Sequence, residues 1–475
     1  MAATTPDSQQ GTAPAALAVG QGGIETHGID HIPEGERHGR ARELFGVWAA
    51  PNVSYLNLVV GGALILMGLS LWQSLAVIVA GNLCWALVGL LAVSGPAAGT
   101  PSEVITRAVF GIRGNRATVV LTGWFVSVCY LALNWAAGSL AAFALAAEAG
   151  ITPGTPLKVV IIVAVAVATL AISVYGHATI LRLYLPFTLV LTAVFTVLGG
   201  YVVARADWSY RPEQPLHGAA LWAALAGGTA LIASAPLSYN NSADFSRYLP
   251  TATSRWAVAS WTAVGAFLPS VLFTALGAVA GTALDMTDPQ AALVAVLPSW
   301  FRPLFLLAVV LGAIANNAMT AYSSGLALQA FGLRVRRSLS VALDGTLGIA
   351  LTLYALLVSN FLDTVDNMLQ LMVALLGPSM AVYAADILRR RNRYDGPALC
   401  DESATSPYWY RAGVHWPGIT ALAVGTVAAT LCLATPDFTG PIAAALGGTD
   451  LSLPVGTLTA AALYLALGPR RPGTR

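Results

Sequence analysis

A series of long apolar segments constrains this chain more than any other feature of its sequence. An α-helix needs about 20 residues to cross the ~30 Å hydrocarbon core of a membrane. Lipid offers the backbone no hydrogen-bonding partner, so such segments predict an all-α polytopic membrane protein of about twelve transmembrane helices. The twelve predicted spans are residues 46–70, 72–95, 119–147, 156–176, 180–203, 218–241, 256–283, 303–331, 339–359, 367–388, 414–434 and 453–468.

Composition supports the membrane class over the soluble one. Charged residues make up 10% of the 475 positions, against about 25% in typical soluble domains. The net charge of +2 comes without a basic block or an RNA-binding motif. We therefore expect no nucleic-acid partner. The expected partners are membrane lipids and a small-molecule solute, and the expected functional unit is a monomer.

Basic residues orient the predicted spans, because cytoplasmic loops carry most of the Lys and Arg of a membrane protein. With the N-terminus inside and the spans alternating, twenty of the 24 basic residues fall on the cytoplasmic side. The remaining four are Lys158, Arg205, Arg211 and Arg302. A missed or additional span would remove this asymmetry. We therefore expect a multi-pass protein of the cytoplasmic (inner) membrane with both termini in the cytoplasm.

Two of the predicted spans contain a proline among polar residues. Pro51 precedes Asn52 in the first span, and Pro236 follows Ser234 in the sixth. Proline removes a backbone donor and clashes with the preceding turn, so it kinks or interrupts a helix. Ordinary kinks would account for both prolines, but broken helices at matching places in two halves are typical of transporters with inverted repeats. The polar neighbours favour a 5+5 inverted-repeat core with broken first and sixth helices.

This interpretation divides the chain into six parts. A tail precedes two five-helix repeats, and a cytoplasmic loop, two additional helices and a second tail follow them. The predicted boundaries are a cytoplasmic N-terminal tail at 1–45, a first repeat at 46–203, a second, inverted repeat at 218–388, a cytoplasmic loop at 389–413, two additional transmembrane helices at 414–468 and a C-terminal tail at 469–475.

Polar side chains inside the third and eighth spans predict a solute site near the middle of the membrane. The adjacent amides of Asn316 and Asn317 are costly in lipid unless they face a cavity or a partner. Tyr130 and Asn134 are four residues apart and share a helical face. An interhelical hydrogen bond would explain them equally well, but a ring beside an amide also suits a flat heterocycle. Thr320, one turn after Asn316, adds a hydroxyl without charge, so the predicted ligand is polar and neutral.

Six short motifs occur in order along residues 28–400. They are Gly28 to Arg37, Trp48 to Asn52, Gly95 to Gly99 with Arg107 and Phe110, Ser242 to Pro250, Ala315 to Asn317 with Tyr322 and Ser323, and Leu376 to Pro378 with Asp386. Each motif alone is weak, whereas the ordered set is specific. Together they resemble the motifs of the nucleobase:cation symporter-1 family, especially its purine–cytosine permease branch.

The resemblance implies cation-coupled uptake of a nucleobase of the cytosine, purine or uracil class by alternating access. Allantoin or hydantoin uptake, or solute sensing without transport on the same fold, are the alternatives. Tyr130 stands where a tryptophan is common and Thr320 replaces a second asparagine, which leaves the particular substrate open. The substrate-binding residues carried over from the family are Tyr130, Asn134, Ser234, Ala235, Asn316 and Thr320, to which the sequence adds Asn52, Tyr239 and Asn317.

The residues before Asn316 bear on the coupling ion. In sodium-coupled relatives, carbonyls of the broken first span and two hydroxyls on the eighth complete the ion site. Ile314 and Ala315 stand where those hydroxyls would lie, and a hard cation needs oxygen ligands. The sequence therefore favours a proton over sodium, although no Asp or Glu lies near the centre of a span. No cofactor and no bound metal are expected.

Asp244 and Arg247 lie one turn apart after the sixth span. A local salt bridge that shapes the linker and a latch of a gate are both consistent with this spacing. We group these two residues with Pro51 and Pro236 as candidate gate or structural positions. No arrangement typical of a catalytic site stands out in the sequence, so we do not expect an enzyme.

Overall fold

The computed structural model describes residues 28–175, 177–332, 337–358 and 361–468. Within these ranges every element of regular secondary structure is a helix, and β-pairing is limited to two isolated bridges. The all-α prediction is therefore confirmed. Most of the predicted N-terminal tail (residues 1–27) and the C-terminal tail lie outside the described residues.

Apolar helices follow the predicted spans in order, and we keep the span numbers for them. Among the described residues, eight helices are long and apolar enough to cross a membrane, or nine if the bent pair that forms the first span is counted. Three shorter apolar helices match the ninth, eleventh and twelfth predicted spans, so the total of twelve stays a prediction. The bounds are Glu43–Asn52 with Tyr55–Leu66 for the first span, then Leu71–Ala98, Ile112–Glu148, Thr155–Tyr175, His177–Val203, Gly218–Leu237, Arg255–Gly281, Arg302–Phe331, Arg337–Leu357, Phe361–Arg390, Trp416–Leu431 and Ser452–Leu467.

The first span is broken, as its proline predicts. Its two helices meet at an angle of 56° across Val53 and Ser54. Pro51 lies in the last turn of the first helix, so the break follows the proline by two residues instead of coinciding with it. Helix termini leave backbone groups without intrahelical partners, and at membrane depth these groups need partners from the protein itself.

Side chains at the break supply several of those partners. The amide of Asn52 donates to the carbonyl oxygen of Trp48 (2.8 Å), and the amide of Asn57 donates to the carbonyl oxygen of Asn52 (2.7 Å). Ser54 caps the second helix by accepting a hydrogen bond from the amide nitrogen of Leu56 (3.2 Å). The polar residues around Pro51 therefore stabilise the interruption.

The sixth span ends soon after its proline. Its helix stops at Leu237, one residue beyond Pro236, and the chain turns before the short helix Ala243–Ser246. The predicted span 218–241 is therefore too long by four residues. The hydroxyl of Ser234 donates to the carbonyl oxygen of Leu231 (2.6 Å) within the last turns of the helix, and local hydrogen bonds of this kind compete with helix continuation.

The third span is longer than predicted. Its helix begins at Ile112, seven residues before the predicted start. Gly111 has a φ of 79°, a conformation that glycine adopts without strain, and it separates this helix from the preceding turn. A π-helical segment, Val120–Phe125, interrupts the regular α-helix just before Tyr130. Such segments are rare and occur frequently next to functional sites.

Loops that follow even-numbered spans meet the N-terminal segment at one end of the helix bundle. The amide nitrogen of Ile32 donates to the carbonyl oxygen of Gly99 (2.8 Å). The guanidinium of Arg37 donates to the carbonyl oxygen of Pro96 (2.7 Å) and to the hydroxyl of Thr251 (2.8 Å). These contacts join the N-terminal segment to the loops after the second and sixth spans. We call this the arginine-rich end.

The loop after the tenth span joins the same end. Arg107 donates to the carbonyl oxygen of Leu399 (2.9 Å) and forms a salt bridge with Glu402 (2.6 Å). Loops after odd-numbered spans meet elsewhere: Arg205 donates to the carbonyl oxygen of Val296 (2.6 Å). The connections after even and odd spans thus contact different partners, as alternating spans require.

The first and seventh spans pack backbone against backbone. A Cβ atom on Gly61 would overlap the carbonyl oxygen of Thr274, and one on Gly277 would overlap the carbonyl oxygen of Leu58. Small residues permit this close approach in membrane proteins. The packing holds the second half of the broken first span against the seventh span, beside the break.

We predict that Gly61→Ala lowers the melting temperature of the purified protein, because the added methyl group forces these two spans apart at a cost of about 1–3 kcal/mol. Gly200→Ala is the matched control: Gly200 also lies in a span, but a Cβ atom added there would meet no other element within 4 Å. Thermal unfolding in detergent measures both variants. An equal melting temperature for wild type and Gly61→Ala would contradict the close packing.

Candidate functional site

A cavity of about 80 Å³ lies beside the break in the first span. This space is several times what one water molecule needs. Side chains from the first, third, sixth, seventh, eighth and tenth spans line it, and none of the lining residues carries a charge. Eight of the nine predicted substrate-binding residues are among them: Asn52, Tyr130, Asn134, Ser234, Ala235, Tyr239, Asn316 and Thr320.

The third and sixth spans meet at Tyr130. Its hydroxyl donates to the carbonyl oxygen of Ser234 (3.2 Å), near the end of the sixth helix. The hydrogen bond holds the tyrosine ring at the cavity wall. Ala235 lines the cavity beside it. The predicted proximity of these three residues is therefore observed, although they come from two different spans.

Three asparagines link the third and eighth spans. The amide of Asn134 donates to Oδ1 of Asn317 (2.9 Å), and the amide of Asn316 donates to Oδ1 of Asn134 (3.3 Å). The interhelical hydrogen bond that the sequence left open as an explanation for Asn134 is thus present. Asn134 also lines the cavity, so it borders both the eighth span and the open space.

Asn317 differs from the other predicted substrate-binding residues because it does not line the cavity. Its side chain is fully buried, donates to the carbonyl oxygen of Leu131 (2.9 Å) and accepts from Asn134. Successive residues on a helix point about 100° apart, so only one of two adjacent asparagines faces the cavity. Asn316 does so, and its Oδ1 accepts no hydrogen bond from the described residues.

An aromatic cluster supports the cavity next to the sixth span. The ring of Tyr239 lies 5.2 Å from that of Trp48 and 5.4 Å from that of Trp85, measured between ring centroids. Both tryptophans are fully buried. Tyr239, one of the predicted substrate-binding residues, is therefore fixed at the cavity wall by rings of the first and second spans.

Sequence reasoning missed the contribution of the seventh span. Ser270 and Thr274 line the cavity, and the hydroxyl of Ser270 donates to Oδ1 of Asn82 (2.6 Å). Two hydroxyls four residues apart on an apolar helix, the first directly after Pro269, are a signal that would have identified them. The other polar lining residues outside the predicted substrate-binding set are Ser54, Asn57, Ser127, Ser238 and Asn241.

The positions that bear on the coupling ion carry no side-chain oxygen. Ile314 and Ala315 are buried, with 9% and 3% of their surface exposed. The carbonyl oxygens of Trp48 and Asn52 at the broken first span already accept hydrogen bonds from amide side chains. Within the described residues, no group of three or more His, Cys, Asp or Glu side chains converges as a metal ligand set would.

Asp244 and Arg247 lie at the arginine-rich end and do not line the cavity. Asp244 accepts hydrogen bonds from the amide nitrogen of Ser102 (2.9 Å) and the hydroxyl of Ser323 (2.7 Å). The guanidinium of Arg247 donates to the hydroxyl of Tyr322 (3.0 Å) and to a carbonyl oxygen of the N-terminal segment. Both residues therefore contact elements outside their own linker.

Comparison with solved structures agrees with the fold. Mhp1, a nucleobase-cation-symport-1 family transporter in a closed conformation with bromovinylhydantoin bound, superposes with a TM-score of 0.74 at 19% identity, covering 92% of this chain and 94% of Mhp1. The inward-facing conformation of Mhp1 gives a TM-score of 0.71 at 20% identity, covering 93% and 94%. At these identities the superpositions establish the fold.

Relatives found by sequence similarity bear on the family of the chain as well as on its fold. A Bacillus subtilis (strain 168) protein, YxlA, described provisionally as a purine-cytosine permease, is 28% identical over 94% of this chain and 96% of its own length. The allantoin permease of the same organism is 34% identical over 24% of this chain and 23% of its own length. These relatives are permeases, not enzymes. A family model described as permease for cytosine/purines, uracil, thiamine, allantoin matches residues 31–456, and the chain therefore belongs to this family of membrane permeases.

Proposed function

We propose that this protein is a cation-coupled symporter that imports a neutral, nucleobase-like heterocycle of the cytosine, purine or uracil class by alternating access. The uncharged polar cavity beside the broken first span is the observation that carries the proposal. Ligand sites in transporters of inverted-repeat architecture lie next to such interrupted helices. A charged solute would need a countercharge in this space, and the lining residues supply none.

The lining matches the chemistry of a nucleobase. Asn316 presents a free amide oxygen, and an amide combines an acceptor with two donors, as the edge of a nucleobase does. The rings of Tyr130 and Tyr239 offer apolar faces for stacking on a flat ring. The name of YxlA, a purine-cytosine permease relative, supports the same substrate class.

Allantoin or hydantoin uptake is the second candidate function. It is favoured by the allantoin permease among the relatives and by the bromovinylhydantoin bound to Mhp1. Those compounds are also uncharged rings rich in amide groups, so the same cavity suits them. A non-transporting sensor on this fold would bind solute without accumulating it, and uptake against a concentration gradient distinguishes it from a symporter.

The orientation and the coupling ion are part of the proposal. The arginine-rich end would face the cytoplasm of an inner membrane, with both termini on that side, as the distribution of basic residues indicates. A monomer surrounded by lipid would be the functional unit. Ile314 and Ala315 lack the hydroxyls of a sodium site, which favours a proton as the coupling cation.

We predict that Asn316→Ala weakens nucleobase binding by about tenfold or more, since a buried hydrogen-bonding group of the solute then loses its partner. Asn317→Ala, at the adjacent position, is the matched control variant. It removes the partner of the Leu131 carbonyl and the Asn134 amide, so it should lower the melting temperature more than Asn316→Ala does. Titration of cytosine, uracil, hypoxanthine and allantoin into the purified proteins measures affinity, and thermal unfolding measures stability. Unchanged affinity in folded Asn316→Ala would contradict the site.

We predict that uptake by the wild type does not require sodium and rises when the external solution is made more acidic. The purified protein is reconstituted into liposomes that contain potassium buffer. Uptake of the labelled nucleobase is then compared between external sodium and external choline at each pH. Equal rates in the two salts, and accumulation only with an inward proton gradient, are expected. A strict requirement for sodium would refute the coupling part of the proposal while leaving the substrate class intact.

A further inference from the structure

Two carboxyl groups meet at the arginine-rich end, between the spans. Glu103 lies in the short helix Ser102–Ile105 after the second span, and Asp244 lies in the short helix after the sixth. Only 5% and 0% of their surfaces are exposed. The two short helices are joined next to these groups, because the amide nitrogen of Ser102 donates to Oδ1 of Asp244 (2.9 Å) and the amide nitrogen of Ala243 donates to the hydroxyl of Ser102 (3.0 Å). Two carboxyl groups that share a buried site favour a proton on one of them, because like charges repel.

The surroundings of the two groups differ. Asp244 accepts hydrogen bonds from the Ser102 amide nitrogen and the Ser323 hydroxyl, whereas Oε2 of Glu103 is buried and has no hydrogen-bond donor within reach. Donors stabilise the charged form of a carboxyl, and burial without donors stabilises its neutral form. The two donors at Asp244 therefore favour its carboxylate form, and burial beside Asp244 favours a protonated Glu103, against the opposing effect of one backbone donor at the Glu103 carboxyl.

Burial raises the pKa of both carboxyl groups, and the negative charge of Asp244 raises the pKa of Glu103 further. The guanidinium of Arg247, on the same segment as Asp244, opposes this effect. Tyr383 of the tenth span also faces the pair, and Tyr322 of the eighth span accepts a hydrogen bond from Arg247. Arg107, the next cation on the Glu103 segment, forms a salt bridge with Glu402.

A small cavity lies beside Glu103. It encloses about 10 Å³, which is close to the space of one water molecule. Glu103, Thr122, Asn240 and Tyr383 are among its lining residues. Asn240 donates to the carbonyl oxygen of Thr122 (3.3 Å), and both of its chain neighbours line the larger cavity. The two cavities therefore approach each other at Asn240.

We propose that Glu103, held against Asp244, carries the coupling proton of the transport cycle. The inference rests on the proposed symport function and names its ion site. A proton from the external solution adds to the Glu103 carboxylate through the solute cavity, and the resulting O–H group donates to Asp244. When the arginine-rich end opens to the proposed cytoplasmic side, this O–H bond breaks and the proton passes to water. No redox step and no other reactant are involved.

Conformation controls the direction of this transfer. While the arginine-rich end is closed, burial and Asp244 keep the pKa of Glu103 high, so the group binds a proton. Opening exposes it to water and separates it from Asp244, which lowers its pKa. By linkage, protonation favours the closed arginine-rich end at low pH, and that preference is lost as the pH rises through the pKa of the closed state.

The test uses full-length protein in liposomes and two assays of cytosine transport. Exchange of labelled for unlabelled cytosine at equal pH on both sides requires binding and conformational change but no net proton transfer. Uptake driven by an inward proton gradient, with a trapped pH-sensitive dye, reports proton flux. The variants are Glu103→Gln and, as a matched control, Glu43→Gln, which alters an exposed acid at the same end of the bundle.

We expect the wild type and Glu43→Gln each to take up cytosine and protons in equal molar amounts, so that the liposomes accumulate cytosine and become more acidic. Glu103→Gln should retain exchange and lose both accumulation and acidification. Retained proton flux in Glu103→Gln, or wild-type accumulation without acidification, would overturn the inference. Absence of exchange and uptake in the wild type, for every nucleobase and hydantoin tested, would instead overturn the proposed function.

Asp244→Asn provides a second readout if Glu103→Gln fails to fold. It keeps the Glu103 carboxyl and removes the negative neighbour, so the pKa of Glu103 falls. The pH at which proton-driven uptake is half-maximal should therefore move down by on the order of one unit, with exchange preserved. A purely structural role of the pair predicts a lower melting temperature and an unshifted pH profile, and that outcome would contradict proton transfer through Glu103.

Discussion

The structure depends on satisfying backbone polar groups where the first span is interrupted. A helix break at membrane depth is stable only if the protein provides the missing hydrogen bonds. Asn52, Ser54 and Asn57 provide them, each within a few residues of the break. Each of these hydrogen bonds thus satisfies a polar side chain and a backbone group at the same time. The cavity forms beside this break, where polar groups are already required.

Amide side chains determine how the cavity wall is built. Asn317 is fully buried and fixes Asn134, and Asn134 in turn accepts a hydrogen bond from Asn316. This chain of bonds orients two amides toward the cavity without placing a charge near it. The acid pair is kept apart from the solute at the arginine-rich end. Solute recognition and the proposed proton transfer would therefore use separate groups that are coupled through conformation.

The sequence predicts features that follow from local chemistry. Apolar length placed the spans, and the prolines placed the breaks to within two residues. Most of the predicted site residues line one cavity because polar groups in lipid must converge. Features that depend on backbone irregularity or on distant contacts were not predictable. No proline or glycine pair marks the π-helical segment, and Glu103 lies near Asp244 only because of the fold.

The most direct test of the central claim is a near-atomic structure of the protein with a bound solute. The protein would be saturated with whichever of cytosine, uracil, hypoxanthine, allantoin or a substituted hydantoin most raises its melting temperature. The predicted result is a flat ring in the cavity, hydrogen-bonded to the amide of Asn316 and in contact with Tyr130. A ring bound elsewhere, or a cavity that stays empty at saturating solute, would contradict the claim.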